Sequence, residues 1–463
     1  MADRFDLLVL GAGIGGYTAA IRAAQLGMSV AIIERQPKLG GTCLLWGCIP
    51  TKALLHTAEV FQQARDGESL GIKVGGIELD WSIANAHKQK IVDQLARGVA
   101  FLMKKNKIEV ITGSGSFVSP TRIVVDGADG KREVEATNVV IATGSFARSL
   151  PGVEYDGKRI LNSDHALNTE RVPASAIVVG AGAVGVEFAS MWNDLGAEVT
   201  LVEALPRIVP LEDPDVSAAV QKAFEKHGMK VLPGARMDLK SVKPGVDSIS
   251  IDVEGAGTLT AEVLLVAIGR GPVVDGIGLE RTAVKLDRGF IQVDGDLRTA
   301  EPTVFAVGDV VGGYQLAHVA AHEGIHAVEV IAGENPRPLD YNQMPRCTYS
   351  RPQVASVGLS EEQAREAGVE VKVGKFPFTA LGRAMINNDT DGFVKIVADA
   401  GTGEIIGAHL VGHNVTDLIA EPALAQLLEG TAWEVGMSVH AHPTLSEAIG
   451  EAALAVDGRA LNI

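Results

Sequence analysis

Residues 5–34 read FDLLVLGAGIGGYTAAIRAAQLGMSVAIIE, and residues 174–203 read ASAIVVGAGAVGVEFASMWNDLGAEVTLVE. Each copy begins with an apolar run, which predicts a buried strand, and passes through G-x-G-x-x-G into a helix-like segment. Each then has a Leu-Gly stop and a second apolar strand that ends in glutamate. A single glycine motif is weak evidence, but here every part agrees twice. The repeat therefore predicts two dinucleotide-binding βαβ units.

The glycines and the glutamate of each copy have separate physical roles. The first glycine makes the turn out of the strand, the second lets the backbone approach a pyrophosphate, and the third lets the helix pack on the strand. Free N–H groups at the helix N-terminus bind the anion, and the glutamate accepts hydrogen bonds from a ribose diol. The alternative is a pair of glycine turns in an unrelated α/β sheet. The predicted binding residues are Gly11, Gly13, Gly16, Glu34, Gly180, Gly182, Gly185 and Glu203.

Three further apolar runs end in small-residue turns. They are NVVIATGS at 138–145, VLLVAIGR at 263–270 and TVFAVGDV at 303–310. The last ends at Gly308-Asp309, where a carboxylate is placed to bind a sugar-like hydroxyl chain. The other interpretation is that Asp309 only caps the next helix.

Composition limits the class of protein. A chain of 463 residues suggests about three domains, and 46% apolar with 21% charged residues is typical of a globular protein. The net charge of −16, with no cluster of Lys and Arg, argues against a nucleic-acid binder. No apolar run of about 18 residues predicts a membrane span. The opening MADRFDLLVLGAG does not resemble a signal peptide, so a cytoplasmic protein is expected.

Two of the three cysteines lie in GGTCLLWGCIPTK, residues 40–52. A helical turn that begins near Thr42 brings Cys43 and Cys48 within reach of each other, and Pro50 is expected to kink this helix. A zinc site is disfavoured because no second Cys or His pair has suitable spacing. Two inert buried cysteines are the other alternative. Because the pair comes directly after the first dinucleotide unit, redox exchange with a bound cofactor is favoured.

The position of the cysteine pair, directly after the first dinucleotide unit, also predicts which cofactor each site binds. The first site is expected to hold FAD, which exchanges electrons with sulfur, and the second a nicotinamide dinucleotide. Glu203 favours NAD, because a carboxylate accepts the 2′-OH and repels the 2′-phosphate of NADP. Arg207, a few residues on, weakens that preference slightly.

Near the C-terminus, residues 439–453 read VHAHPTLSEAIGEAA. His440 and His442 are candidate bases, and Glu447 is placed to hydrogen-bond one ring nitrogen and raise its basicity. Pro443 is expected to leave His442 on an exposed turn, with Glu447 in the first turns of a helix. Taken alone, a His-Glu pair at this spacing is more often structural.

The cysteine segment resembles the redox-active stretch of the pyridine nucleotide–disulfide oxidoreductases, which is usually close to GGTCLNVGCIPSK. The resemblance implies that Cys48 lies nearest the flavin as the charge-transfer thiolate, and that Cys43 is the sulfur that exchanges with substrate. Lys52 matches the lysine near the flavin N5, and Glu187 matches its ion-pair partner. The sequence departs from the family at Leu45-Trp46, where Asn and Val are usual.

The C-terminal stretch matches the family's HPTxxE motif. That match implies that His442 is the base and Glu447 its orienting partner, with His440 a weaker candidate. In the family this motif reaches the redox site of the other subunit, so a homodimer with a shared active site is expected. The stretches AIGRGP, GDVVGG, LAHVAAHEG and FPFTALGRA also resemble the family. The resemblance adds six expected cofactor-binding residues: Thr143, Gly144, Gly269, Asp309, Ala317 and His318.

The resemblance covers essentially the whole chain and implies an α/β fold, with two Rossmann-like dinucleotide-binding domains and a C-terminal α+β dimerisation domain. The expected domains are 1–148, which binds FAD and carries the redox disulfide; 149–271, which binds NAD; 272–345, which completes the FAD site; and 346–463, the dimerisation domain.

Within the family, HAHPTLSE is closest to the members that oxidise dihydrolipoamide to lipoamide with NAD. The expected partner is then a lipoyl domain of a 2-oxoacid dehydrogenase or glycine-cleavage complex, and no metal is expected. The alternatives are a relative that reduces another small disulfide, with NADPH, and a non-catalytic flavoprotein. Cys347 lies alone and is predicted to be structural.

Overall fold

The computed structural model describes residues 3–463. Its helices include both predicted segments that come after the glycine turns, and short 3₁₀ turns lie between the main elements. The α-helices are α1 (Ile14–Gln25), α2 (Gly41–Trp46), α3 (Cys48–Asp66), α4 (Trp81–Lys105), α5 (Ser163–Ala166), α6 (Ala183–Asp194), α7 (Pro214–Lys226), α8 (Ala317–Ile331), α9 (Glu361–Glu366), α10 (Gly382–Ile386), α11 (Val415–Leu418), α12 (Ala420–Leu427), α13 (Ala432–Met437) and α14 (Glu447–Ala455).

The strands alternate with these helices in the first two thirds of the chain and form a separate sheet in the last third. They are β1 (Asp3–Leu10), β2 (Val30–Glu34), β3 (Glu109–Thr112), β4 (Ser114–Ser119), β5 (Arg122–Gly127), β6 (Gly130–Ile141), β7 (Ser145–Ala147), β8 (Ile160–Leu161), β9 (Ser175–Val179), β10 (Glu198–Val202), β11 (Lys230–Leu232), β12 (Met237–Pro244), β13 (Ile249–Val253), β14 (Gly257–Ala261), β15 (Val263–Val266), β16 (Arg270–Pro272), β17 (Leu286–Asp287), β18 (Phe290–Ile291), β19 (Val304–Ala306), β20 (Arg346–Thr348), β21 (Gln353–Gly358), β22 (Val371–Pro377), β23 (Phe393–Asp399) and β24 (Ile405–Gly412).

The chain divides into two compact units. The first contains Met1–Leu54, Ser82–Arg148 and Arg270–Leu339, and the second contains Leu55–Trp81, Ser149–Gly269 and Asp340–Ile463. The four domain limits expected from the sequence stay a prediction.

The first unit is built on a sheet in the order β3-β2-β1-β6-β5-β4, with β19 paired in parallel to β6. Strands β3, β2, β1 and β6 run parallel, and the apolar end of β1 is buried, as is typical of a parallel sheet covered on both faces. The chain reverses the strand order beside β1, so the carboxyl end of β1 lies at the switch point where doubly wound sheets bind ligands.

The second unit contains a matching parallel sheet, in the order β11-β10-β9-β15-β8. A three-stranded antiparallel sheet, β12-β13-β14, packs in the same core through Ile249 and Ile251. The last third of the chain forms a five-stranded antiparallel sheet, β20-β21-β24-β23-β22, whose core is covered by α14 through residues such as Ala448 and Ile449. The predicted α/β fold class is confirmed.

Candidate active site

The first glycine loop has the geometry that a pyrophosphate needs. Helix α1 begins after Gly13, and no side chain of the described residues caps that end, so the first backbone N–H groups are available to an anion. A Cβ at Gly16 would overlap the carbonyl oxygen of Gly11, so only glycine allows the helix to pack this closely on the strand. The residues therefore fit the pyrophosphate of a dinucleotide.

The carboxylate of Glu34 is buried and fixed at the end of β2. Its Oε2 accepts the N–H of Ala12 at 2.7 Å, and its Oε1 accepts the N–H of Gln36 at 2.9 Å. Each oxygen keeps a further lone pair. The carboxylate is therefore held rigidly next to the glycine loop, where a ribose is expected.

The second loop repeats this arrangement almost atom for atom. Helix α6 begins after Gly182, again with no side-chain cap from the described part of the chain, and a Cβ at Gly185 would overlap Gly180 O. Glu203 Oε2 accepts the N–H of Ala181 at 2.7 Å, and Glu203 Oε1 accepts that of Leu205 at 2.8 Å. This loop fits a second dinucleotide equally well.

Arg207 is engaged away from this carboxylate. Its Nη2 lies 3.1 Å from Glu362 Oε2 on α9. Arg207, which weakened the preference for NAD, is thus paired with Glu362. Glu203 remains the charged group beside the predicted ribose position.

Asp309 lies in a 3₁₀ turn, Gly308–Val311, directly after β19. Its Oδ2 accepts a short hydrogen bond from Ser145 Oγ, and Arg270 Nε donates to the same hydroxyl at 2.7 Å. Glu323, almost fully buried on α8, accepts the N–H of Gly308 at 2.6 Å. The interpretation of Asp309 as a helix cap is wrong, because its carboxylate is held by side chains rather than by the N–H groups of the next helix.

The other expected cofactor contacts, in the first and the second site, lie at strand and helix ends. Thr143 and Gly144 come just after β6, and Thr143 Oγ1 donates to Val273 O at 2.6 Å. Ala317 and His318 begin α8, and Gly269 precedes β16. Their contacts with cofactors stay predictions.

The cysteine segment is two helices and not one kinked helix. Helix α2 ends at Trp46, α3 begins at Cys48, and Gly47 between them leaves the helical region with φ −138° and ψ −111°. Pro50 lies in the first turn of α3, where its missing N–H leaves no bond unmade. The expectation of a kink at Pro50 is therefore wrong, because the break falls at Gly47.

The two sulfurs of the segment interact directly. A side-chain hydrogen bond to Cys48 is the main cause that raises the pKa of Cys43; burial raises it further, and the charge of Lys52 opposes the rise. The raised pKa holds the Cys43 thiol in its protonated form. The two free thiols are therefore close enough to hydrogen-bond, as a pair that forms a disulfide must be.

Tyr17 belongs to the same cluster. Burial is the main cause that raises the pKa of this tyrosine on α1, and the electrostatic interaction with nearby Cys43 adds to the rise. Its hydroxyl therefore stays neutral beside the cysteines. Sequence reasoning missed this residue, since it reads as one more member of the first helix.

Because the sequence departs from the family's pattern at Leu45 and Trp46, three apolar residues in succession lie between the cysteines. Leu44 is buried in the core of the first unit, and Leu45 packs against that core. Trp46 is half-buried at the end of α2.

Lys52 and Glu187 belong to different compact units of the chain. Lys52 lies on α3, one turn beyond Cys48. Glu187 is buried on α6, and its Oε1 accepts the N–H of Tyr349 at 3.0 Å. The ion pair expected between Lys52 and Glu187 stays a prediction.

The C-terminal pair has the predicted geometry. His442 Nδ1 lies 2.8 Å from Oε1 of Glu447, the first residue of α14, and the histidine side chain is 81% exposed. Partial burial opposes ionisation of Glu447, but hydrogen bonds from the Thr444 N–H and from His442 hold its pKa below the usual value. Glu447 is thus a fixed carboxylate that is hydrogen-bonded to Nδ1 of an exposed histidine.

His440 differs sharply from His442. Its side chain is 11% exposed, and its Nε2 lies 2.7 Å from Glu421 on α12. A Cβ at Gly450 would meet the His440 ring at 2.9 Å, so the ring is packed tightly. The geometry favours His442 over His440 as the base, and Glu421 is a partner that sequence reasoning missed.

Cys347 lies on β20, half-buried against the core of the last sheet, with its Sγ 4.0 Å from Thr416 O. Among residues 3–463, no group of three or more His, Cys, Asp or Glu side chains is arranged to hold a metal ion. Over the same residues, no helix combines the length and apolar character needed to cross a membrane.

Comparison with known proteins supports the class that this geometry defines. Residues 5–324 match the profile of the family described as pyridine nucleotide-disulphide oxidoreductase, and residues 344–453 match its dimerisation domain. The chain belongs to the pyridine nucleotide–disulfide oxidoreductase family. FAD and NAD, the predicted cofactors, are those of this family.

Several relatives cover the whole chain. The chain is 48% identical to the dihydrolipoyl dehydrogenase of Bacillus subtilis and 47% identical to that of Zymomonas mobilis, in each case over 100% of both proteins. Among solved structures, LpdA from Mycobacterium tuberculosis matches with a TM-score of 0.90 and 29% identity, covering 98% of this chain and 99% of that one. The HOCl-induced flavoprotein disulfide reductase RclA from Escherichia coli matches with a TM-score of 0.86 and 27% identity, covering 97% and 99%.

Proposed function

We propose that the protein oxidises a dihydrolipoyl dithiol to the cyclic disulfide and passes the electron pair to NAD, as a dihydrolipoyl dehydrogenase. The observation that carries this proposal is the hydrogen-bonded pair Cys43 and Cys48, which comes directly after the first dinucleotide loop. Full-length relatives that are 46 to 48% identical bear the name dihydrolipoyl dehydrogenase.

The sulfur chemistry starts from the Cys43–Cys48 disulfide. A substrate thiol loses its proton, and the thiolate attacks Cys43 Sγ; this forms a mixed disulfide and releases Cys48 as a thiolate. The second substrate thiol then attacks the substrate sulfur bound to Cys43. This closes the substrate disulfide and releases Cys43, which takes up the proton of the second thiol. The substrate dithiol is oxidised and the cysteine pair is reduced by two electrons.

The reduced pair must then be reoxidised. FAD, if held at the first glycine loop by Glu34 and the N-terminus of α1, would supply the two-electron chemistry that links Cys48 to NAD. The raised pKa of Cys43 keeps this thiol protonated, and Cys48 is proposed, from the family resemblance, as the sulfur that carries the negative charge toward the cofactor. Lys52, whose charge reaches Cys43, adds positive potential on the same side.

His442 accepts the proton of the substrate thiol, and Glu447 orients it. The Glu447 hydrogen bond fixes the Nδ1 tautomer, so Nε2 is the basic nitrogen. The 81% exposure of His442 suits a base that completes the site of a second subunit. A homodimer with shared active sites is part of the proposal, supported by the dimerisation-domain match.

The choice of NAD over NADP rests on Glu203, because the carboxylate beside the ribose repels a 2′-phosphate. The partner is proposed to be a lipoyl domain of a 2-oxoacid dehydrogenase or glycine-cleavage complex. A cytoplasmic location fits a chain with three cysteines, two of them redox-active.

Steady-state kinetics test the proposal. The flavin-loaded protein is assayed with dihydrolipoamide and NAD, and in parallel with glutathione disulfide and NADPH. We expect turnover only with the first pair. The second candidate, a reductase of another small disulfide, draws on the likeness to RclA and would be favoured by turnover with the second pair alone.

A further inference from the structure

The second glycine loop is held by a strained residue. Val209 is buried, and its φ of 40° lies in the left-handed region that β-branched residues avoid. Its N–H donates to Ala181 O at 2.8 Å, and Ala181 is the residue whose N–H binds the carboxylate of Glu203. The strain therefore lies directly against the loop that is expected to bind NAD.

The first repeat has glycine at the same position. Gly40 comes six residues after Glu34, just as Val209 comes six residues after Glu203. The Gly40 N–H makes the equivalent bond, to Ala12 O at 2.9 Å, with φ 130°. Glycine adopts a positive φ without strain, whereas valine must be held at one.

The first restraint on Val209 acts through Glu212. The Glu212 N–H donates to Val209 O at 2.9 Å. The carboxylate of Glu212 accepts a hydrogen bond from Ser356 Oγ on β21 at 2.5 Å and lies 3.5 Å from Arg346 Nε on β20. Two strands of the C-terminal sheet thus fix the residue that closes the Val209 turn.

A second group of contacts holds Asp213, the fully buried residue that follows Glu212. Lys395 on β23 has a side chain that is 4% exposed, and its Nζ lies 3.1 Å from both carboxylate oxygens of Asp213. The same ammonium lies 3.1 Å from Asp215 and 3.0 Å from Glu361. Burial opposes the charge, but these ion pairs raise the pKa of Lys395, so it stays protonated.

We propose that Lys395, Arg346 and Ser356 are positioning residues for the NAD site, which hold Glu212 and Asp213 and so impose on Val209 the conformation that fixes Ala181. These residues come from a distant part of the chain and hold Val209 at a positive φ. In the first loop Gly40 reaches a positive φ without such help. Without them Val209 relaxes to an ordinary φ and withdraws its N–H from Ala181.

This inference rests on the proposed function only in taking NAD as the ligand of the second loop. The experiment therefore measures equilibrium binding of NAD⁺ to the oxidised, flavin-loaded protein by calorimetry. A wild-type protein that binds no NAD⁺ would contradict the proposed function. Normal wild-type binding with unaffected variants would contradict this inference alone.

The first variant is Lys395→Met, with Lys372→Met as its matched control. Lys372 lies on the neighbouring strand, is 52% exposed and pairs with Asp457. We expect Lys395→Met to raise the dissociation constant of NAD⁺ about tenfold, the order of effect of releasing one strained residue. We expect Lys372→Met to leave it unchanged, and flavin content to be normal in both.

The second variant, Val209→Gly, tests whether the effect passes through Val209. Glycine needs no restraint at this φ, so the single variant should bind NAD⁺ as wild type does. In the Val209→Gly background, Lys395→Met should weaken binding by no more than about twofold. The non-additivity of the two substitutions is the signature of the proposed coupling.

Two results would overturn the proposal: a folded Lys395→Met protein with wild-type affinity for NAD⁺, or an equal loss in both backgrounds. Removal of Lys395 leaves buried carboxylates without their cation, and such a protein can fail to fold. In that case Ser356→Ala, which deletes only the hydroxyl donor to Glu212, is combined with Val209→Gly instead of Lys395→Met. Equal affinity in Ser356→Ala and wild type would then count against the proposal.

Discussion

The two dinucleotide loops of this protein have the same inner geometry and different supports. Glu34 and Glu203 each accept an alanine N–H at 2.7 Å and a second N–H two residues further on. At the position six residues later, the first loop has Gly40 and the second has Val209. A repeated loop can therefore be fixed by local sequence in one copy and by buried charges from elsewhere in the other.

The two loops also lead into different segments of the chain. The first leads into the helix that carries Cys43, while the second leads through Val209 to α7. This difference supports the proposal that sulfur chemistry takes place at the first site and that the second site binds a diffusible dinucleotide.

The largest expected effect comes from removing either cysteine of the pair that follows the first loop. Cys43→Ser or Cys48→Ser should lower the rate of dihydrolipoamide oxidation at least about a thousandfold, because no disulfide is left to accept the thiolate. Steady-state assay of the purified variants measures this. Cys347→Ser, the control, should keep the wild-type rate, and a similar loss there would contradict its structural role.

The next effect separates the two loops. Gly16→Ala places a Cβ on Gly11 O and Gly185→Ala places one on Gly180 O. We expect Gly16→Ala to purify without flavin. We expect Gly185→Ala to keep its flavin and to lose about a hundredfold or more in NAD⁺ affinity.

Absorbance of bound flavin and calorimetric NAD⁺ titration measure the two outcomes. Gly98→Ala is the control, since a Cβ there meets open space on α4. It should bind both cofactors normally. Loss of flavin from Gly185→Ala, with flavin kept by Gly16→Ala, would reverse the assignment of the two loops.

A smaller effect is expected at the base. Glu447→Gln removes the charge that orients His442, and kcat with dihydrolipoamide should fall about a hundredfold. The pKa of Glu447 is held below its usual value, so its carboxylate stays ionised from about pH 5 upward. Any titration seen in kcat/KM near neutral pH should therefore belong to another group and persist in the variant.

Glu421→Gln, which removes the partner of the packed His440, is the control for this pair. It should change kcat by less than about threefold. A larger loss in Glu421→Gln than in Glu447→Gln would transfer the role of the base to His440.

The smallest effect tests the supports of the loops. Gly40→Val gives the first loop the residue of the second, at a φ of 130° and with a Cβ 2.8 Å from Leu44. A valine at position 40 would not be held by contacts like those proposed for Val209, so it should relax and disturb the loop. Flavin affinity should therefore fall about tenfold. Fluorescence of released flavin on dilution measures it, and wild-type retention would show that this position is tolerant.

The fold was predictable from the sequence because its decisive features are local. Glycine spacing, strand length and the terminal glutamate are all contained within each repeat, and together they specify the parallel sheet. The His442–Glu447 contact was predictable for the same reason. His442 lies in the turn that precedes α14, and Glu447 is the first residue of that helix.

The supports of the site were not predictable, because they join residues far apart in sequence. Lys395 reads as one charge in an apolar strand, yet it is buried against Asp213. Ser145 and Arg270 hold Asp309 from two different strands. The helix break at Gly47 was missed because proline is the stronger helix breaker in general, while its place in the first turn of α3 removes the penalty.

The cysteine pair is proposed to carry electrons between a dithiol and the flavin of the first loop. Anaerobic titration of the purified wild-type protein with dihydrolipoamide tests it most directly. We predict a long-wavelength absorption band from the Cys48 thiolate beside the flavin, complete after two electrons and absent in Cys48→Ser. A protein whose spectrum dihydrolipoamide leaves unchanged would contradict the claim.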